Sequence, residues 1–149
     1  IEVVFSAGMM VGGLIMASWG GLKNNVHTMV SSLLINGIAI LGLGLIPDFR
    51  VYLGFMALIG LVIPAFNTAA TVLLQQKVEE DFLGRVFGVM GMIATGMMPL
   101  GMLVFGPMAD IVKIEWLLVG TGLLLVIQSL LMLENKALVE AGRPGWEGE

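Results

Sequence analysis

Five long stretches of the chain contain no Asp, Glu, Lys or Arg: Val3 to Leu22, Asn24 to Pro47, Val51 to Gln76, Val86 to Ala109 and Trp116 to Leu133. Within them apolar residues run on without the strict alternation of a half-buried strand. About 20 mainly apolar residues cross the roughly 30 Å of a bilayer's hydrocarbon as a helix, so each stretch is long enough to span. Unpaired backbone groups are costly in lipid, which restricts spans to helices and closed barrels, and runs of this length exclude barrel strands. The pattern therefore predicts an all-α membrane protein with five transmembrane helices, over about 3–22, 26–47, 51–76, 86–109 and 116–133. These form one transmembrane helical domain, 1–134, followed by a partly disordered cytoplasmic tail, 135–149.

The breaks between the runs carry helix-end chemistry. Lys23-Asn24-Asn25 follows Gly20-Gly21, Pro47-Asp48-Phe49-Arg50 forms a tight turn, Lys77 to Arg85 is a charged loop, and Asp110 to Glu115 makes the fourth connection. Connections this short force successive helices to run antiparallel, so breaks alternate between the two membrane faces. Lys23, Lys77, Arg85, Lys136 and Arg143 fall on one side, against Arg50 and Lys113 on the other. By the positive-inside rule the first side, which includes the tail, is cytoplasmic. Gly142-Arg143-Pro144-Gly145 is expected to end any helix in the tail, and the last few residues to be mobile.

Composition agrees with lipid as the solvent. Only 12% of residues are charged, about half the share of a soluble domain, and 58% are hydrophobic. A chain with so few charges cannot coat a water-facing surface, and with no basic patch it offers nothing to nucleic acid. The absence of cysteine excludes disulfides, thiolate metal sites and a cysteine nucleophile. The sequence opens at Ile1 in apolar sequence without an initiator Met, which predicts a segment of a longer protein.

Candidate functional positions are the polar and helix-bending residues inside the runs. Asn67, Thr71 and Gln75 follow Pro64 at i, i+4 spacing and share one helix face, with Thr68 beside them. An uncompensated amide in hydrocarbon is costly, so Asn67 must meet another helix or the water of a cavity. Asn36, Thr95 and Gln128 stand isolated and read first as structural. Pro64, Pro99 and Pro107 each remove a backbone hydrogen bond and are candidate kinks, although membrane helices also tolerate proline without consequence. The 21 glycines lie mainly inside the runs, where Gly8 with Gly12, and Gly84 with Gly88, have the four-residue spacing that lets helices approach closely.

Several chemistries are missing. No Asp, Glu, Lys or Arg lies inside a run, so a residue that titrates in proton-coupled transport would belong to another part of the parent protein. Asp110 sits at the end of the fourth run as a helix-end acid. His27 has no partner at metal-ligand spacing, so no metal site is expected. Neither a phosphate-cradling glycine loop nor a pair of carboxylates at membrane depth occurs, and neither an enzyme nor a bound cofactor is expected.

Three stretches carry a family resemblance. Gly13-Leu14-Ile15-Met16-Ala17-Ser18-Trp19-Gly20-Gly21-Leu22-Lys23 is similar to the cytoplasmic loop motif G-x-L-A-D-R-x-G-R-R-K of the major facilitator superfamily. Gly13, Gly20 and Lys23 match, whereas Ala17 replaces the acid and Ser18, Gly21 and Leu22 replace bases. Asp81-Phe82-Leu83-Gly84-Arg85-Val86-Phe87-Gly88 resembles the E-x-x-G-R-V-F-G signature of the macrolide-efflux and siderophore-exporter subgroup, and Gly106-Pro107-Met108-Ala109-Asp110 resembles its G-P-L-A-D.

The resemblance implies that the chain is part of the C-terminal six-helix half of a major facilitator fold, its runs corresponding to helices eight to twelve. Helices eight, ten and eleven would face a cavity, and nine and twelve lipid. It further implies a secondary active transporter of the bacterial plasma membrane, which exports amphiphilic small molecules by alternating access and is completed by an N-terminal half. Asn67, Thr68, Thr71, Gln75 and Thr95 would line the pathway. Gly13, Gly20, Lys23, Asp81, Gly84, Arg85 and Asp110 would form the gating loops, with Gly84-Arg85 as a cytoplasmic hinge and Arg85 held by helix-end carbonyls or by Asp81. The alternative is a non-transporting membrane subunit whose helices scaffold a partner.

Overall fold

A computed structural model describes residues 1–141. The helix stop expected at Gly142-Arg143-Pro144-Gly145 and the mobility expected of the last residues lie outside the described residues. The chain forms α1 (Glu2–Trp19), α2 (Asn25–Leu45), α3 (Phe49–Lys77), α4 (Glu80–Ile111), α5 (Ile114–Glu134) and a short α6 (Lys136–Ala141). Among the described residues there is no strand, and α1 to α5 are each long and apolar enough to cross a membrane.

Helix ends follow local chemistry more closely than they follow the charge-free runs. The backbone of Gly20 (φ 72°) and Gly21 (φ 80°) turns left-handed, and Gly20 N–H donates to the Met16 carbonyl at 2.8 Å. This ends α1 at Trp19, three residues before the run ends at Leu22. Asn24 starts α2 by accepting from Val26 N–H at 3.0 Å, and Asp48 starts α3 by accepting from Arg50 N–H at 2.9 Å.

The expected loop from Lys77 to Arg85 is almost absent, because only Val78 and Glu79 separate α3 from α4. Glu80 and Asp81 sit in the first turn of α4, where their charge complements the helix dipole. Gly84 and Arg85 therefore lie within α4 and not in a connecting loop. The fourth connection likewise shrinks to Val112 and Lys113, leaving Asp110 inside α4. Pro64 lies within α3, and Pro99 and Pro107 within α4, without dividing either helix into two elements.

Close packing comes from glycine. A Cβ added at Gly8 would lie 2.6 Å from the Ala57 carbonyl oxygen, and one at Gly12 would overlap the carbonyl of Leu61, so α1 and α3 touch backbone to backbone. Gly60 repeats this from the α3 side against the Phe5 carbonyl. At the crossing of α2 and α5, a Cβ on Gly122 would stand 2.9 Å from the Gly37 carbonyl oxygen, and one on Gly37 would stand 3.1 Å from that of Gly122. Close backbone approach of this kind is how membrane helices gain dispersion energy when lipid removes the hydrophobic drive. Ala39, Leu43 and Ile59 form one cluster of the buried core, with Phe5, Tyr52, Phe55 and Leu118 packed on it.

The fourth helix differs from the rest. It has no buried residue, and beyond its junction with α3 it makes little contact with the bundle. A Cβ at Gly84, Gly88, Gly91, Gly96, Gly101 or Gly106 would meet nothing within 4 Å. The Gly84–Gly88 pair thus has the spacing of a helix contact and no helix against it among the described residues, whereas Gly8–Gly12 is engaged.

Candidate functional site

The antiparallel order brings the first break, the third break and the tail to one end of the bundle. Asn25 donates its side-chain amide to Gln76 Oε1 at 3.2 Å, and Asn24 donates its own to the Val139 carbonyl at 2.9 Å. Above this end, α1, α2 and α3 enclose a pocket of about 290 Å³. Gly12, Ile15, Met16 and Trp19 supply one wall, Leu61, Val62 and Ala65 a second, and Thr28, Ser31, Ser32 and Ile35 a third. Apart from the Trp19 indole, its polar side chains are the hydroxyls of Thr28, Ser31 and Ser32. Thr28 is already committed, since its Oγ1 accepts from Leu22 N–H at 3.0 Å and donates to the Asn24 carbonyl at 3.4 Å, which ties the Gly20–Leu22 turn to α2.

The predicted pathway residues occupy a different face. Asn67 and Thr68 are exposed on α3, Thr71 is half-buried, and Gln75 is exposed near the helix end. Neither α1 nor α2 covers Asn67, and it has no hydrogen bond to another described residue. Thr95 is exposed on α4, where its hydroxyl donates to the Gly91 carbonyl one turn earlier at 2.8 Å. With α4 apart from the bundle, the structure does not bring Thr95 to Asn67.

The motif residues are likewise dispersed. Gly13 is half-buried with open space where a Cβ would stand, and Gly20 and Lys23 are exposed at the α1–α2 turn. Asp81, Gly84, Arg85 and Asp110 are all exposed on α4. Arg85 does not pair with Asp81; its guanidinium lies over the Phe82 ring, 5.9 Å from the centroid. Among the described residues no group of three or more His, Asp or Glu side chains could hold a metal ion.

Asn36 departs most from its sequence reading. It is not isolated, because Ser32 precedes it by one helical turn and both line a small pocket between α2 and α3. Its Oδ1 is buried without a hydrogen-bond partner. Ser129 was also missed: it is fully buried on α5 and donates to the Val126 carbonyl at 2.7 Å. The four-residue spacing that singled out Asn67 and Thr71 was equally present at Ser32 and Asn36, and counting serine as a polar stripe member would have found it.

Comparison of the sequence with known proteins finds efflux proteins among its relatives. Over 138 residues, 91% of the chain, it is 29% identical to macrolide efflux protein A of Streptococcus pyogenes and covers 34% of that protein. It is 32% identical over 103 residues, 68% of the chain, to macrolide efflux protein A of Enterococcus faecalis, covering 32% of it. The multidrug efflux pump Tap of Mycolicibacterium fortuitum is 27% identical over 110 residues, 74% of the chain and 27% of the pump. The chain thus spans about a third of the length of the macrolide efflux proteins it matches. No family model matches it, and no solved structure does. The resemblance to the macrolide-efflux subgroup stands on these relatives, and an integral membrane protein on the five apolar helices.

Proposed function

We propose that the chain forms part of the C-terminal half of a major facilitator transporter that exports amphiphilic small molecules by alternating access. The similarity to macrolide efflux protein A over 91% of the chain carries this reading. The unpacked state of α4 agrees with it, since a 32-residue apolar helix with no buried residue and a row of open glycines has a surface suited to further helices. Such transporters bind substrate near the membrane midplane between two halves and expose it to each side in turn by rocking them.

In this reading Asn67, Thr68 and Thr71 line the pathway, because they form the polar face of α3 that the bundle leaves open. Gln75 extends that face toward the end that carries Lys23, Lys77 and the tail, which is cytoplasmic by its positive charge. Thr95, on α4, would join the pathway once the other half of the protein brings α4 against α3. With Gly84 inside α4, the gating element is the two-residue junction at Val78–Glu79 and the first turns of α4 that follow it, where Asp81, Gly84 and Arg85 are carried. Gly20 and Lys23 mark the α1–α2 turn at the same end, whereas Gly13 lies within α1 and Asp110 at the opposite end of α4.

The test is efflux of a fluorescent cationic dye from cells that express the full-length protein. Asn67→Leu is expected to lower the initial efflux rate several-fold at unchanged protein level. An unaltered rate removes Asn67 from the pathway, and a wild-type protein that exports no amphiphile favours a scaffolding subunit.

A further inference from the structure

The pocket enclosed by α1, α2 and α3 has a buried floor and an exposed rim. Gly12, Met16 and Val62 are buried at its floor, whereas Ile15, Trp19, Leu22 and Ile35 line it and are exposed. At about 290 Å³ it is roughly twice the size of an apolar cavity of about 150 Å³ that stays dry and takes up hydrocarbon. Its surface is almost wholly apolar. The Thr28 hydroxyl is already taken up by Leu22 N–H and the Asn24 carbonyl. A water inside a protein needs two to four polar partners, so hydrocarbon fills this space better than water does, and an empty pocket would forfeit the dispersion contacts of its walls.

The pocket also has a defined place along the span. From Gly12 to Trp19, α1 rises about 10 Å at 1.5 Å per residue, so the pocket reaches from the α1–α2 turn into the apolar depth of the bundle. Trp19, exposed at the very end of α1, holds the position in which tryptophan favours the membrane–water boundary. Lys23 stands one residue beyond Leu22, with its Cα about 3.8 Å from that of the rim residue. Its side chain is exposed and makes no ion pair or hydrogen bond with a described residue. A lone cation outside, an aromatic ring at the boundary and an apolar cavity beneath follow the order of charge and hydrocarbon in a phospholipid.

We propose that this pocket holds one acyl chain of an anionic phospholipid, drawn from the leaflet at that end, with the phosphate on Lys23. The five apolar helices supply the surrounding lipid, and the assignment does not rest on the exporter reading. A zwitterionic lipid offers the same chain to the cavity and lacks the net charge that Lys23 attracts. A lysine at the membrane surface favours anionic lipid by about fivefold, which sets the selectivity expected here.

The experiment places the full-length protein in phosphatidylcholine nanodiscs doped with a small fraction of photoactivatable lipid. The probe is either phosphatidylglycerol or phosphatidylcholine, each carrying a diazirine on the same acyl chain, and mass spectrometry locates the residues labelled after illumination. Labelling at Ile15, Ile35 and Ala65 is expected, about fivefold stronger with phosphatidylglycerol. Lys23→Gln should bring phosphatidylglycerol down to the phosphatidylcholine level at these positions while labelling of the exposed Leu124 and Leu131 on α5 stays unchanged, which also reports a folded variant. Ala65→Phe fills the cavity and should abolish labelling of Ile15 and Ile35 by both lipids; Lys23→Gln carries the test if this variant does not fold. Labels confined to positions outside the pocket, equal labelling by the two lipids in wild type, or a phosphatidylglycerol preference that survives Lys23→Gln overturns the proposal. Dye export from cells is read separately, so loss of the lipid site and loss of the exporter reading are distinct results.

Discussion

Asn24 donates its side-chain amide to the backbone carbonyl of Val139, 2.9 Å away and 115 residues later, while its Oδ1 accepts from Val26 N–H at 3.0 Å. One buried side chain therefore caps α2 and fastens the short α6 to the first turn of the bundle. Asn24→Ala removes both bonds and is expected to cost about 1–2 kcal/mol, the usual range for a lost helix cap with a further hydrogen bond. Asn24→Asp keeps the cap and loses only the amide donor, so it should retain more stability while still freeing α6. Denaturant titration of the detergent-solubilised protein measures the first effect, and proteolysis between residues 134 and 141 the second. Equal cleavage in wild type and both variants would rule out the latch.

At the end of α1, Gly20 is left-handed and a Cβ there would meet nothing within 4 Å. Gly20→Ala should therefore be penalised by backbone conformation alone, at about 1–2 kcal/mol. Gly20→Asn should lose less, because asparagine enters this region more readily. Thermal unfolding of the two variants gives the order; alanine tolerated as well as asparagine would mean that the turn is not held left-handed.

The helices were legible because absent charge is a strong signal and lipid admits few alternatives. Their ends were less so. Glu80 and Asp81 read as loop because they are charged, yet an acid in the first turn of a helix is favoured, and the loop collapsed to Val78–Glu79. Glycine spacing announced the capacity of a face and not its partner: Gly8–Gly12 and Gly84–Gly88 look alike in sequence, and only the first has α3 against it. Asn36 was misjudged for a related reason, since its environment is made by Val62, Ile63 and Phe66 of another helix, which no local pattern reports.

Arg85 and Phe82 lie three residues apart on α4, with the guanidinium 5.9 Å from the ring centroid. Both side chains are exposed, so the attraction is expected to be worth only about 0.5–1 kcal/mol. A double-mutant cycle with Arg85→Gln and Phe82→Leu should return a coupling of that size. The partner expected from the sequence, Asp81, should give none in the same cycle with Asp81→Asn. Coupling to Asp81 and not to Phe82 would restore the ion pair.

Gly12 and Gly88 provide the sharpest contrast in packing. A Cβ at Gly12 overlaps the Leu61 carbonyl, and because that atom is backbone, no side-chain rotation relieves the clash. For Gly12→Ala, α1 must therefore move away from α3, at an overpacking cost of about 1–3 kcal/mol. Gly88→Ala meets open space in this chain and gains the helix propensity of alanine, about 1 kcal/mol. The two substitutions add the same methyl to apolar helices, so the difference between them isolates the helix contact from any general effect of alanine. Melting of the detergent-solubilised 149-residue chain should show Gly12→Ala below wild type and Gly88→Ala at or above it. Equal melting of the two variants would mean that α1 does not rest on α3 through Gly12. In the full-length protein the proposed function alters one arm only: if further helices cover α4, Gly88→Ala should become destabilising there while the penalty at Gly12 persists.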